Sequence, residues 1–327
     1  MRQRPEIHSD AAPAVSVIIP AYNAATYIGE ALRSVCEQTF TSREVIVIND
    51  GSPDTDEFER ELEPFAACIQ YVKQENLGAA TARNAGLRAA RGEFVAFLDA
   101  DDTWLPNFLE EQIKFLKSTQ ADFVYSDALL VGESLLNGRT FMQVQPSRGA
   151  VTPESLLGVD VTILTSAVLA RKAPILEVGL FDEELRRGHD FELWLRLAKR
   201  GVRFAYQRKV LVQHRILESG LSGDTISQLQ RTLSVLERIR NREDLSATEE
   251  AALERNMKRT RAELALEDGK DRLLRRDFDG AFDCFKRAKH FQGSWKLRFI
   301  CAGMLLAPEL LRRMYQARVS RRRPAVI

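Results

Sequence analysis

The sequence predicts an α/β protein: a mostly parallel β-sheet flanked by helices, followed by a helical C-terminal extension. Three observations carry that prediction. Short apolar runs alternate with helix-periodic segments from residue 15 to residue 125. Polar clusters follow three of those runs. From Asp224 onward, strand signal gives way to long, charged, helix-forming sequence.

Residues 1–13 read as a loose tail. Val15-Ser16-Val17-Ile18-Ile19-Pro20 is a β-branched apolar run stopped by proline, as a buried strand would be. Ile28, Ala31, Leu32 and Val35 recur at i, i+3, i+4 and i+7, the spacing of an amphipathic helix packed on a sheet. Val45-Ile46-Val47-Ile48 makes a second strand, and Phe58 to Phe65 falls in a helix. Ile69-Gln70-Tyr71-Val72 is a third strand, followed by a small-residue helix from Ala79 to Ala90. Phe94-Val95-Ala96-Phe97-Leu98 is the next strand. Phe108, Gln112, Phe115 and Leu116 mark another helix, and Phe123-Val124-Tyr125 closes the series. From about 130 to 180 the pattern weakens into mixed short strands and loops. A helix returns at Phe191, Trp194, Leu195 and Ala198. The expected organisation is a 14–223 catalytic-type domain and a 224–327 helical region. In the latter, Ala281, Phe282 and Phe285 share one face of a helix spanning Gly280 to Ala288, which resembles one helix of a helix-turn-helix repeat.

Bulk properties exclude several classes. Hydrophobic residues make up 45% and charged residues 28%, the balance of a globular protein. A formal net charge of +1 gives no global attraction to nucleic acid. Cys36, Cys68, Cys284 and Cys301 lack C-x-x-C spacing, so neither a disulfide framework nor a structural zinc site is expected. The polar N-terminus has no signal-peptide core, and no run of ~18 apolar residues could span a bilayer. The expected setting is cytoplasmic, with peripheral attachment to the inner face of a membrane as an option.

In parallel sheets, ligands bind beyond the carboxyl ends of the strands. Ala21-Tyr22-Asn23, Asn49-Asp50-Gly51-Ser52 and Asp99-Ala100-Asp101-Asp102 each follow a strand and would converge on one rim. Hard cations such as Mg2+ or Mn2+ prefer carboxylate oxygen and share their sites with substrate phosphates. Asp99 and Asp101 could therefore meet one metal, or place one carboxylate on the metal and one on a ribose. The plainer alternative is a solvated acidic turn before Trp104-Leu105-Pro106. Asp50 is either a turn residue beside glycine or an acceptor for a nucleobase N–H, with Tyr22 beside the same base. Arg83 could pair with a diphosphate or the acidic cluster, or form a structural ion pair. Asp190 is either an N-cap or a general base for an acceptor hydroxyl.

Taken together, these segments resemble the family 2 glycosyltransferases, whose catalytic domain has the GT-A fold. The resembling stretches are residues 15–23, Asn49 to Asp54, Asn76 to Asn84, Ala90 to Glu93 with Leu98 to Asp102, and His189 to Arg196. They occur in the family's order across about residues 14–215. The resemblance implies a nucleotide site made by Pro20, Tyr22, Asp50, Arg83, Asp99 and Ala100, with Asp50 at the uracil. It implies a Mn2+ or Mg2+ site at Asp101 and Asp99, and a catalytic base at Asp190, hence inversion at the anomeric carbon. Asn49 stands where the family often has aspartate, and His189 where a glutamate often precedes the base. His214, in Leu211-Val212-Gln213-His214-Arg215, is a further metal or phosphate candidate, with Arg215 beside it.

The implied partners are a nucleotide-sugar donor, most simply a UDP-sugar, and a glycan or lipid-linked glycan acceptor in polysaccharide or glycoconjugate assembly. A non-catalytic nucleotide- or glycan-binding module on the same fold is the alternative, and the concurrence of Asp50, Asp99, Asp101 and Asp190 argues against it. A dinucleotide oxidoreductase is rejected, because no G-x-G-x-x-G follows the first strand. From Lys296 to Arg323, apolar stretches sit beside a basic end of Arg312, Arg313, Arg318, Arg321, Arg322 and Arg323. That combination suits either a membrane surface or a packed helix with a solvated tail. No aromatic interleaving supports nucleic acid.

Overall fold

A computed structural model describes residues 12–132, 135–217, 225–242, 244–291 and 295–320. Nearly all of the expected 1–13 tail, the expected 223/224 boundary, and Arg321, Arg322 and Arg323 lie outside those residues. The chain divides into two compact units, Met1–Gly220 and Leu221–Ile327.

The first unit is built on one sheet. Strands β1 (Val15–Ala21), β2 (Arg43–Asp50), β3 (Ile69–Gln74) and β4 (Phe94–Phe97) are parallel and lie in the order β3-β2-β1-β4. Beyond β4 the sheet continues as β7 (Val168–Arg171), β6 (Phe123–Gly132), β8 (Phe204–Ile216) and β5 (Thr103–Trp104). β7 is antiparallel to both neighbours, β6 and β8 are parallel, and β5 is antiparallel to β8. The series therefore does not close at Tyr125. β7 has four residues and β8 mixes Gln, Arg and Lys into its run, so neither carries a clear apolar period.

Successive β1 residues point to opposite faces, and both faces are covered. Val15, Val17 and Ile19 pack with α1 (Ala25–Cys36) and, further along that face, with α4 (Phe108–Thr119). Ile18 packs with α3 (Ala79–Ala89) and lies in one core with α8 (His189–Lys199), whose Leu193, Trp194 and Leu197 are buried. Helix α2 (Thr55–Leu62) contributes Phe58 to the first face. Short helices α5 (Phe141–Val144), α6 (Pro153–Leu157) and α7 (Lys172–Glu177) punctuate the segment between β6 and α8. α3 lies unusually close to the sheet. A Cβ on Gly86 would stand 2.5 Å from Ile18 Cγ2 and 3.0 Å from Ile48 Cδ1.

The second unit is a run of helices: α9 (Thr225–Arg242), α10 (Ala247–Leu274), α11 (Phe278–Phe291), α12 (Trp295–Leu306) and α13 (Pro308–Ser320). Each packs on the next. Ser246 starts α10 with a capping box, accepting from the Glu249 N–H while Glu249 Oε2 accepts from the Ser246 N–H. Ala281, Phe285 and Ala288 form the buried face of α11. No helix among the described residues is long and apolar enough to cross a membrane.

Candidate active site

Because β2, β1 and β4 are adjacent and parallel, the residues that follow them leave the sheet on one edge. Pro20 is half-buried in β1, and Tyr22 beyond it is exposed. The Asn23 N–H donates to Ser52 Oγ at 2.8 Å, tying the β1 loop to the β2 loop. Asn49 is fully buried. Its Oδ1 accepts from the Ser52 N–H, and its Nδ2 donates to Thr55 Oγ1 and the Tyr71 hydroxyl. An aspartate would have no N–H to give, which is the physical reason for asparagine here. Asp50 accepts from Gln74 Nε2 at 2.7 Å, the Leu77 N–H at 3.0 Å and the Gly78 N–H at 2.8 Å. A carboxylate offers about four lone-pair sites, so Asp50 anchors the entry to α3 and retains one for a ligand. Gly51 (φ 65°) is required beneath that loop, because a Cβ would stand 2.6 Å from Asn76 N.

The acidic loop runs from β4 into β5. Asp99 accepts from Arg83 Nη2 at 2.5 Å, while its own N–H donates to Ser166 Oγ at 3.1 Å. Ala100 turns inward and is buried. Asp101 is half-buried between two carboxylates. Burial first, then the charges of Asp102 and Asp99, push its carboxyl up to about 7. Asp102 is fully buried and accepts from His214 Nδ1 at 3.0 Å and from the Arg215 N–H at 2.9 Å. Burial alone would lower the His214 pKa, but the hydrogen bond and charge of Asp102 prevail and raise it to about 9. Arg215 braces the same loop, donating from Nε to the Asp101 carbonyl and from Nη2 to Glu30.

Helix α8 supplies the opposite wall. Its N-cap is Gly188, in the left-handed region at φ 67°, so Asp190 sits inside the first turn and is not the cap. Asp190 Oδ1 accepts from the Phe191 N–H at 2.8 Å, and Oδ2 from Thr165 Oγ1 at 3.0 Å. His189 is buried, and its Nε2 accepts from Arg83 Nη1 at 2.5 Å. Burial, then the Arg83 charge, lower its pKa to about 4. Arg83 thus spends both Nη atoms on Asp99 and His189, and its reach to the acidic cluster is the reading that the geometry brings together.

Thr165 and Ser166, in a 3-10 turn (Thr165–Ala167) ahead of β7, carried no signal in the sequence. Their position follows from contacts across the fold. Trp104 Nε1 donates to the Ser166 carbonyl at 2.7 Å, and Gln112 Nε2 to the Ala167 carbonyl at 2.9 Å. The turn then touches the Asp99 backbone with one residue and the Asp190 carboxylate with its neighbour.

Among the described residues, no set of three or more His, Cys, Asp or Glu side chains is grouped to hold a metal ion alone. Mg2+ and Mn2+ commonly take one or two carboxylates and complete their shell with water and substrate phosphate. Asp101, whose charge is resisted by its neighbours, fits such a cation, while Asp99 already accepts from Arg83 through Oδ1.

Residues 16–153 match the sequence model of the Glycosyl transferase family 2. An uncharacterised glycosyltransferase of Rickettsia prowazekii is 32% identical over 226 residues, 67% of this chain and 69% of that protein. One from Rickettsia conorii is 32% identical over 191 residues, 56% of this chain. The match spans 31% of that longer relative. WfgD of Escherichia coli, a UDP-Glc:alpha-D-GlcNAc-diphosphoundecaprenol beta-1,3-glucosyltransferase, is 28% identical over 224 residues, 68% of this chain and 85% of WfgD. Among solved structures, S. aureus TarS 1–349 in complex with UDP aligns with a TM-score of 0.60 at 20% identity, covering 94% of this chain and 92% of that one. The mannosyltransferase PcManGT of Pyrobaculum calidifontis, in complex with GDP-Man and Mn2+, aligns with a TM-score of 0.63 at 20% identity, covering 94% and 84%. Both show the fold, which is GT-A. The sequence matches show the family: this chain belongs to glycosyl transferase family 2.

Proposed function

We propose that this chain transfers a sugar from a UDP-sugar to an acceptor hydroxyl, with inversion at the anomeric carbon, in glycan or polysaccharide assembly. One observation carries the reading. The Thr165-Ser166 turn hydrogen-bonds Asp190 with one residue and the Asp99 backbone with the next, so a base and an acidic loop share one rim. Asp190 takes the proton of the acceptor hydroxyl. The acceptor oxygen then bonds to the anomeric carbon as the bond to the diphosphate breaks on the opposite face, and the electron pair leaves with UDP.

Asp50 and Tyr22 hold the base end of the donor, with Pro20 and Ala100 lining the floor. Asp101, with Asp99, would hold Mg2+ or Mn2+, which would neutralise the departing diphosphate. His214, protonated through Asp102, is assigned to the phosphates, because metal ligation requires a neutral imidazole. Arg83 acts by positioning Asp99 and His189. The name of WfgD supports a UDP-sugar donor and an acceptor glycan linked to a lipid diphosphate.

The test is release of nucleotide diphosphate from a panel of UDP- and GDP-sugars, with a lipid-diphosphate-linked GlcNAc acceptor and Mn2+, Mg2+ or chelator. Asp190→Asn should lose roughly 100-fold or more in turnover while UDP still binds. An Asp190→Asn enzyme as fast as wild type removes the base assignment. Binding without turnover in the wild type would instead favour a binding module.

A further inference from the structure

We propose that α12 and α13 form a docking surface for an anionic lipid bilayer, with α12 lying in the plane of the interface. The second unit exposes seven large apolar side chains among its described residues: Leu274, Trp295, Phe299, Leu305, Leu306, Leu310 and Met314. Six of them lie on α12 and α13. Trp295 (64% exposed), Phe299 (69%) and Leu306 (85%) fall on one side of α12 with the exposed Ala302 between them, at i, i+4, i+7 and i+11. The opposite side is already used. Leu297, Cys301 and Met304 are buried, and pack in clusters with Ala265, Ala288, Ala281 and Phe285. The outer stripe is therefore apolar surface that the unit's own core does not cover.

Charge identifies the occupant. Residues 295–320 hold five cations, Lys296, Arg298, Arg312, Arg313 and Arg318, against one carboxylate, Glu309. Lys296 and Arg298 are exposed and lie on either side of the Trp295–Phe299–Leu306 stripe. Arg313 is exposed on α13, one residue before Met314. A stripe of Trp, Phe and Leu flanked by cations matches the acyl boundary below and anionic headgroups above. A second copy is a poor fit, since a self-complementary contact would set these cations against their own images. With 12 residues, α12 is about 18 Å long, short of the roughly 30 Å hydrocarbon core, so it lies in the interface and does not cross it.

This inference stands apart from the transferase reading, because vesicle binding needs neither donor nor Asp190. It is tested on the full chain by flotation with phosphatidylglycerol–phosphatidylcholine vesicles and with phosphatidylcholine vesicles alone. The three tryptophans make the readout local. Trp104 and Trp194 are buried, so a blue shift on vesicle addition reports Trp295. The expected result is flotation with the anionic vesicles, a blue-shifted emission, and weaker binding to phosphatidylcholine. Phe299→Ser and Leu306→Ser should each weaken binding by roughly tenfold with an unchanged circular dichroism spectrum. Lys296→Gln with Arg298→Gln should reduce the preference for anionic vesicles. No flotation, an unshifted Trp295 emission, or wild-type binding by the serine variants overturns the proposal. So does a dimer that those variants dissolve, which would make the face a contact between copies.

Discussion

Arg83 and His189 meet through one 2.5 Å hydrogen bond, from guanidinium Nη1 to imidazole Nε2, while Nη2 of the same guanidinium holds Asp99. The imidazole must be neutral to accept that bond. Burial and the Arg83 charge keep its pKa at about 4, below the ordinary 6.5. Stability from neutral His189 is therefore complete above pH 6.5 and is lost as pH falls through 4. Arg83→Met should cost roughly 2–3 kcal/mol, at the low end for a broken ion pair because the Asp99 side chain is 32% exposed. It should also raise the His189 pKa, read by NMR titration. A His189 pKa that does not move would separate the two residues.

Thr165 should act on turnover more than on donor affinity. Thr165→Val removes the hydroxyl that holds Asp190 Oδ2. The expected effect is a roughly 10- to 100-fold fall in kcat with donor KM little changed, and recovery in Thr165→Ser. Equal loss in the valine and serine variants would mean that the side chain only fills space.

Asp101 links cation binding to pH. Its carboxyl is raised to about 7, so a proton competes with any metal below that value. Mn2+ affinity, measured calorimetrically with UDP present, should fall by up to about tenfold per pH unit below 7 and level off above it. Asp101→Asn should abolish both this pH dependence and the metal dependence of turnover. A pH-independent affinity in the wild type would assign the cation elsewhere.

The sequence was most informative where one strand buries both faces. The runs Val45 to Ile48 and Phe94 to Leu98 are apolar without interruption, Val15 to Ile19 is broken only by the buried Ser16, and the polar residues after them lie on one edge as parallel strands require. Legibility ended where position depends on contacts far apart in sequence. Thr165 reaches Asp190 across 25 residues, and Asp102 reaches His214 across 112. No local period encodes either pairing. Asn49 shows the opposite case: a departure from the family's frequent aspartate becomes intelligible once its two donated bonds, to Thr55 and Tyr71, are seen.

Gly86 is not among the candidate site residues, yet its lack of a side chain sets how closely the helix that carries Arg83 approaches the sheet. The two are three apart on α3, and the helix can rest against Ile18 and Ile48 only because position 86 has no side chain. A methyl there would lift the helix off the sheet and draw the guanidinium away from Asp99 and His189 in the same movement. The clearance between helix and sheet is thus a calibration of the site. A change at this buried position would be felt first as a loosened acidic loop and a shifted α8, before any loss of fold.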